Sequence, residues 1–235
     1  MQLERLLQRQ GFGTRKGCRA LVRQGRVALA GQTCDDPFVE VDTDGLVFSV
    51  DGTVWRWQES ATVILNKPAG YECSQRPRHH PSVLELLPGP LRERGVQPVG
   101  RLDEDTTGLL IVTDDGSLNH RLSSPRKKLP KVYVATTADP LDAIQVERLL
   151  AGVVLNDDPE PVAAAGAEIV APNRLRLTLT QGKYHQVKRM IGAAGNRVVA
   201  LHRESIGGLS LPPDLPPGAW RWLEAADLQR LEGTP

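Results

Sequence analysis

Apolar positions at the start of the chain recur with helical spacing: Leu3, Leu6 and Leu7 share a face, and Gly11 and Gly13 end the run. Thr14 is placed to cap a second helix extending to Gly25. At about 100° of turn per residue, Arg15, Arg19, Arg23 and Arg26 fall on one narrow face, with Cys18, Leu21 and Val22 turned away from it. Strand-like pieces follow at 26–30, 46–50 and 53–57. The first precedes a turn at Gly31-Gln32, and Asp51-Gly52 joins the other two as a hairpin. A different pattern begins near Ala61, which puts a linker at 57–61. Strands are predicted at 62–66, 109–113, 131–137, 174–180, 197–203 and 218–223. Between Arg174 and Thr180 the alternation is clean, as in a sheet with one buried face. A helix is predicted over 140–151, with Asp139 as cap, Pro140 in its first position, Leu141, Ile144 and Leu149 inward, and Gly152 as stop. Another spans 184–194 and ends at Gly195-Asn196.

Composition adds limits. The 235 residues are 40% hydrophobic and only 4% aromatic, so aliphatic side chains must fill the core. Net charge is +1, yet residues 1–30 carry seven Lys and Arg against Glu4 alone, and residues 31–60 carry seven acids against Arg56. The acid-free stretches 119–134 and 181–203 hold five basic residues each. Such patches suit a phosphate-backbone ligand, whose binding draws on counterion release. No apolar run approaches the roughly 20 residues that span a bilayer, and no apolar signal core follows Met1, so no membrane partner is expected. Cys18, Cys34 and Cys73 form no CxxC pair and read as reduced thiols of a cytoplasmic protein.

Three stretches could carry chemistry. Gly100–Gly108 gathers Arg101, Asp103, Glu104 and Asp105 just ahead of an apolar strand, which could present a carboxylate at a sheet edge; a solvated acidic turn would have the same composition. Lys131 and Tyr133 share one strand face, where a Tyr with its hydroxyl at the rim is the plainer reading. Gln181–Met190 sets Lys183, His185, Lys188 and Arg189 at a helix start, with Val187 and Met190 available to the core. Cys73, His79 and His80 lack a second ligand pair at zinc spacing, so no metal is expected. Neither phosphate-loop glycine pattern occurs, and no Gly-x-Ser-x-Gly elbow appears.

Taken together, these residues carry a resemblance. Gly100-Arg101-Leu102-Asp103 with Asp105-Thr106-Thr107-Gly108-Leu109 resembles the catalytic signature of pseudouridine synthases of the RsuA family. Leu65–Tyr71 resembles that family's first motif, Lys131-Val132-Tyr133 its tyrosine motif, Tyr184–Met190 its basic motif, and Leu201-His202-Arg203 with Ile206-Gly207 its closing one. Residues 1–57 resemble the ribosomal-protein-type RNA-binding module that precedes the catalytic domain in this family. Gly70–Ser74 and His80–Val83 are more similar to the small-subunit ribosomal RNA enzyme than to its large-subunit relatives.

The resemblance implies an α+β protein: an RNA-binding module at 1–57, then a catalytic domain at 61–235 built on a mixed, mostly antiparallel sheet flanked by helices. It implies conversion of uridine to pseudouridine in ribosomal RNA, chiefly 16S RNA in a partly assembled small subunit, by a monomer. Substrate and product share one formula, so no cofactor or metal is expected. Asp103 matches the family's nucleophile, Lys188 its cationic partner (Arg189 being the neighbouring alternative), and Tyr133 the residue that stacks on uracil. Arg101 would brace the vacated stack, and Arg15, Arg19, Arg23, Arg26, Lys131, His185 and Arg189 would bind RNA. The alternatives are an enzyme of large-subunit (23S) RNA, a non-catalytic ribosome-assembly protein, which would not need Asp103, and a hydrolase working through Asp103 and Asp105, which would not need the basic stripe.

Overall fold

The three leucines at the start fold into α1 (Leu3–Arg9), and Thr14 caps α2 (Arg15–Arg23) by accepting a hydrogen bond from the Gly17 N–H. Both helices bury their apolar faces against β1 (Val27–Leu29), β2 (Gln32–Cys34), β3 (Val47–Val50) and β4 (Thr53–Arg56), which form a sheet in the order β2-β1-β3-β4. Leu3, Leu6, Leu7, Cys18, Val22 and Phe48 make its core, and the Phe12 ring lies edge-on to Phe48 and Trp55. The first hairpin turns at Ala30-Gly31 rather than at Gly31-Gln32. Both residues have positive φ, 48° and 80°, as a two-residue primed turn requires, and this frees Gln32 to begin β2. Asp51-Gly52 turns the same way.

This computed structural model describes residues 1–124, 127–156 and 158–233. The chain divides into two units: Met1–Ala61 with Leu87–Gln97, and Thr62–Leu86 with Pro98–Pro235. The insertion Leu87–Gln97, which sequence patterning grouped with the second unit, includes the short α3 (Gly89–Glu93). It joins the first unit physically. Arg94 Nη1 donates to the Gln58 carbonyl at 2.8 Å, and a Cβ on Gly11 would sit 2.0 Å from the Pro90 carbonyl oxygen.

The second unit is built on β5 (Thr62–Lys67), β7 (Thr106–Thr113), β8 (Lys131–Thr137), β11 (Gly166–Ala171), β12 (Arg174–Leu179), β13 (Val198–Ile206) and β15 (Trp220–Trp222). The sheet order is β11-β12-β8-β13-β7-β5-β15. Only the β13–β7 pair in that order is parallel. The remaining short strands are β6 (Gln97–Pro98), β9 (Val153–Leu155), β10 (Asp158–Val162) and β14 (Leu209–Ser210). Flanking helices are α4 (Gly116–Ser123), α5 (Ala143–Ala151), α6 (Gln186–Ala193) and α7 (Ala225–Glu232). Ile64, Leu109, Ile111, Leu118, Leu122 and Leu231 pack as the core on one side of the sheet. Leu175, Leu177 and Leu179 are buried in β12, as the alternation predicts.

The α5 expectation needs correction. The helix starts three residues later than predicted, behind Asp142, whose carboxylate accepts from Gln145 N–H at 2.8 Å in a capping box. The backbone of 139–141 is already committed elsewhere: the Asp139 carbonyl accepts from Thr137 Oγ1 and Asn196 Nδ2, and Leu141 N–H donates to Pro172. Pro140 is therefore outside the helix, and Ile144 is 58% exposed instead of inward. The buried anchor is Leu149, and Gly152 terminates the helix.

Candidate active site

β7 begins at Thr106, earlier than the apolar run alone suggests, so the acidic loop ends directly on the central sheet. The loop has little freedom. Lys67, at the end of β5, is fully buried and donates from Nζ to the carbonyls of Pro68 at 3.0 Å, Glu104 at 2.9 Å and Thr106 at 2.8 Å. Burial lowers its pKa, and the charges of nearby acidic groups oppose that shift only partly. From the other side Cys73 Sγ accepts the Leu102 N–H at 3.5 Å. Gly108 completes the support: its φ is +105°, and a Cβ there would lie 2.3 Å from the carbonyl oxygen of Arg203 on β13.

Held in this way, Asp103 meets the start of α6. Lys188 Nζ lies 3.1 Å from Asp103 Oδ2 and 2.6 Å from Asp105 Oδ1, and His185 Nε2 is 3.4 Å from Asp103 Oδ1. Burial works against the Lys188 charge, but hydrogen bonds to Asp105 and Asp103 outweigh it and raise its pKa. Asp105 is shifted the opposite way: burial would raise its pKa, and the Lys188 contact brings it below the usual carboxylate value.

Asp103, Arg101, Lys131, Tyr133, His185 and Lys188 all line one cavity of about 760 Å³. Tyr133 is set in its wall by the register of the sheet, directly across from Arg203 on β13, which in turn pairs with Gly108 on β7. Arg203 is 2% exposed; its Nε donates to the Leu109 carbonyl at 2.8 Å, and its Nη2 has no hydrogen-bond partner among the described residues. Lys131 donates to the Leu129 carbonyl at 3.2 Å, and burial followed by the Arg203 charge lowers its pKa. The arrangement supplies a fixed carboxylate, a cation beside it and an aromatic face in one electropositive cleft. Such a set can perform nucleophilic chemistry on a planar substrate carried on an anionic chain.

Two expectations are revised. Arg189 is not the alternative cation for Asp103: it points back along its own loop, and Nη1 donates to the Tyr184 carbonyl at 3.0 Å. The four-arginine stripe is also interrupted. α2 stops at Arg23, and Arg26 lies beyond it, bound through both nitrogens of its fork to Asp51 at 2.6 and 2.7 Å. Arg19 is tied to the buried carboxylate of Glu4, and Arg15 stands 3.8 Å from the same group. Of the basic run at 119–134, Arg126 lies outside the described residues.

The motif resemblances include Lys67 and Arg203 without giving either a role, and Cys73 is weighed in the sequence as a metal ligand and not as a brace for the loop. For Lys67 the available signal is a lysine two residues after the apolar run Val63-Ile64-Leu65. Asp105, part of the signature that follows Asp103 and the second carboxylate of the hydrolase alternative, is the nearer partner of Lys188.

The pattern of the RNA pseudouridylate synthase family matches residues 61–193. The chain belongs to that family. The synthase is 44% identical over 165 residues to ribosomal small subunit pseudouridine synthase A of Escherichia coli K12, spanning 70% of this chain and 71% of that protein. It is 36% identical over 228 residues to the Yersinia pestis protein of the same name, with 97% of each covered. A solved structure described as a pseudouridylate synthase superposes with a TM-score of 0.69 at 33% identity, covering 98% of this chain and 99% of that one. The synthase is thus an isomerase, and the α+β fold with its mixed sheet is the fold of that structural relative.

Proposed function

We propose that this synthase converts a specific uridine of small-subunit (16S) ribosomal RNA to pseudouridine. It acts as a cytoplasmic monomer on a partly assembled subunit. One observation carries the reading: the carboxylate of Asp103, 3.1 Å from Lys188 and 3.4 Å from His185, faces the same cavity as the Tyr133 ring. The near full-length similarity to proteins named for the small ribosomal subunit supports the choice of RNA.

The reaction breaks the N1–C1′ bond of uridine, turns the base and forms a C5–C1′ bond. A proton leaves C5 and one is taken up at N1, so the formula is unchanged. The target base leaves its stack at a cost of a few kcal/mol, and stacking on Tyr133 recovers part of it. Asp103 then attacks the nucleotide, with its charge held by Lys188. Lys67 and Cys73 hold the loop that aims it. Arg101 fills the space the base vacates, and Lys131 and His185 contact the RNA at the cavity. The first unit binds phosphates through Arg23 and the free side of α2, a contact that positions the RNA without reading bases.

The experiment is a comparison of pseudouridine positions in ribosomal RNA from cells with and without the gene. Loss of a single site in 16S RNA, restored by purified protein, supports the reading. Loss of a 23S site, or no loss, overturns it.

A further inference from the structure

Two tyrosines open onto the cavity that holds Asp103, and they are placed differently. Tyr133 is set in the wall at 9% exposure, whereas Tyr184 stands at the rim at 70%. A single flipped base needs one stacking partner, and Tyr133 provides it.

Tyr184 is held in place rather than loose. Its ring stacks on His185 with centroids 3.8 Å apart and planes 20° from parallel, which covers one face and leaves the other open. His185 adopts a left-handed conformation, φ +46°, uncommon for a side chain of its size and tolerated where neighbours enforce it. The neighbours are identifiable: Lys183 N–H donates to Gln186 Oε1 at 2.9 Å, and Arg189 Nη1 donates to the Tyr184 carbonyl at 3.0 Å. Through the 3.4 Å approach of His185 Nε2 to Asp103 Oδ1, the two-ring stack is continuous with the carboxylate. Arg101 lines the same cavity and supplies charge for a phosphate beside the base, while Lys183, on the same wall, is paired with Asp158 and Lys188 with Asp103 and Asp105.

We propose that Tyr184, backed by His185, is a stacking shelf for the nucleobase adjacent to the flipped uridine, so that the synthase grips two neighbouring nucleotides. The inference rests on the reading of Asp103 and Tyr133 given above. Because every base has a π face, the shelf anchors the strand without selecting its sequence.

The test uses full-length protein carrying Asp103→Asn, so that RNA is bound but not turned over, and a 16S RNA fragment with 2-aminopurine either 5′ or 3′ of the target uridine. The probe should be quenched on binding at one of the two flanks, which also fixes the polarity of the strand on the shelf. Adding Tyr184→Ala should remove that quench and weaken binding roughly 5- to 150-fold. Tyr184→Phe should keep both. Quenching at neither flank, or a quench and affinity unchanged by Tyr184→Ala, overturns the shelf while wild-type protein still forms pseudouridine. Absence of pseudouridine formation by wild-type protein overturns the underlying reading and the shelf with it.

Discussion

Lys188 sets its ammonium 3.1 Å from Oδ2 of Asp103, joining the first turn of α6 to the loop ahead of β7. The same ammonium is closer still to Asp105, at 2.6 Å, so one cation serves two carboxylates. Asp105 therefore helps to hold Lys188 where Asp103 needs it.

The pH behaviour of this group follows from the shifts. Lys188 has a raised pKa in the folded protein, so its stabilising contribution is complete below the unfolded lysine value and is lost as pH rises through the raised one. Asp105 has a lowered pKa, so its contribution is present above the ordinary carboxylate value and is lost as pH falls through the lowered one. Activity should accordingly hold from neutral pH well into the alkaline range. Lys188→Met should reduce single-turnover rates on the order of 10²–10³-fold, and the Asp105 carboxyl, having lost the main contact that offsets its burial, should titrate at higher pH by NMR. Lys188→Arg should recover part of the rate. An unchanged rate in Lys188→Met would remove Lys188 from the mechanism.

Lys67 is a test of the supporting structure. Lys67→Met retains the apolar stem but leaves the carbonyls of Pro68, Glu104 and Thr106, the last of them buried, without their shared donor. Urea denaturation should show a loss of at least about 2 kcal/mol. The protein that stays folded should also turn over more slowly, because a misplacement of about 1 Å can cost roughly 10²-fold. Normal stability and normal turnover would contradict the bracing role.

The basic face of α2 separates into two functions. Arg19→Gln strips the buried Glu4 of its main partner and should lower thermal stability more than RNA affinity. Glu4 has a lowered pKa through its hydrogen bond to Arg19, so this contribution is present above the ordinary carboxylate value and fades as pH falls below it. Arg23→Gln should leave stability unchanged and reduce the slope of log affinity against log salt by about one. Melting curves across pH and a salt titration of RNA binding distinguish the two; equal effects of both variants on affinity would show the stripe acting as one surface.

Where a residue's local pattern determined its environment, the chain was legible. Leu175, Leu177 and Leu179 alternate because one face of β12 is buried, and Thr14 caps α2 because nothing else competes for the Gly17 N–H. The α5 start differs because Asp139 and Asp142 both look like caps locally, and only the long-range bonds of Asn196 to Asp139 and of Leu141 to Pro172 decide between them. The proximity of Asp103, Tyr133 and Lys188 to one cavity was reached through resemblance to a family. No periodicity encodes it, since it arises from the β8-β13-β7 order of the sheet. Arg26 was misread because helical register was carried past Arg23, where the chain turns toward β1 and Asp51 captures the guanidinium.

The most direct measurement concerns Asp103. Purified Asp103→Asn protein, nearly isosteric and still flanked by Lys188 and His185, lacks a carboxylate nucleophile. It should bind 16S RNA with near wild-type affinity and form no detectable pseudouridine under conditions where wild-type protein reaches full conversion. Pseudouridine formation by Asp103→Asn protein, free of wild-type contamination, would contradict the account.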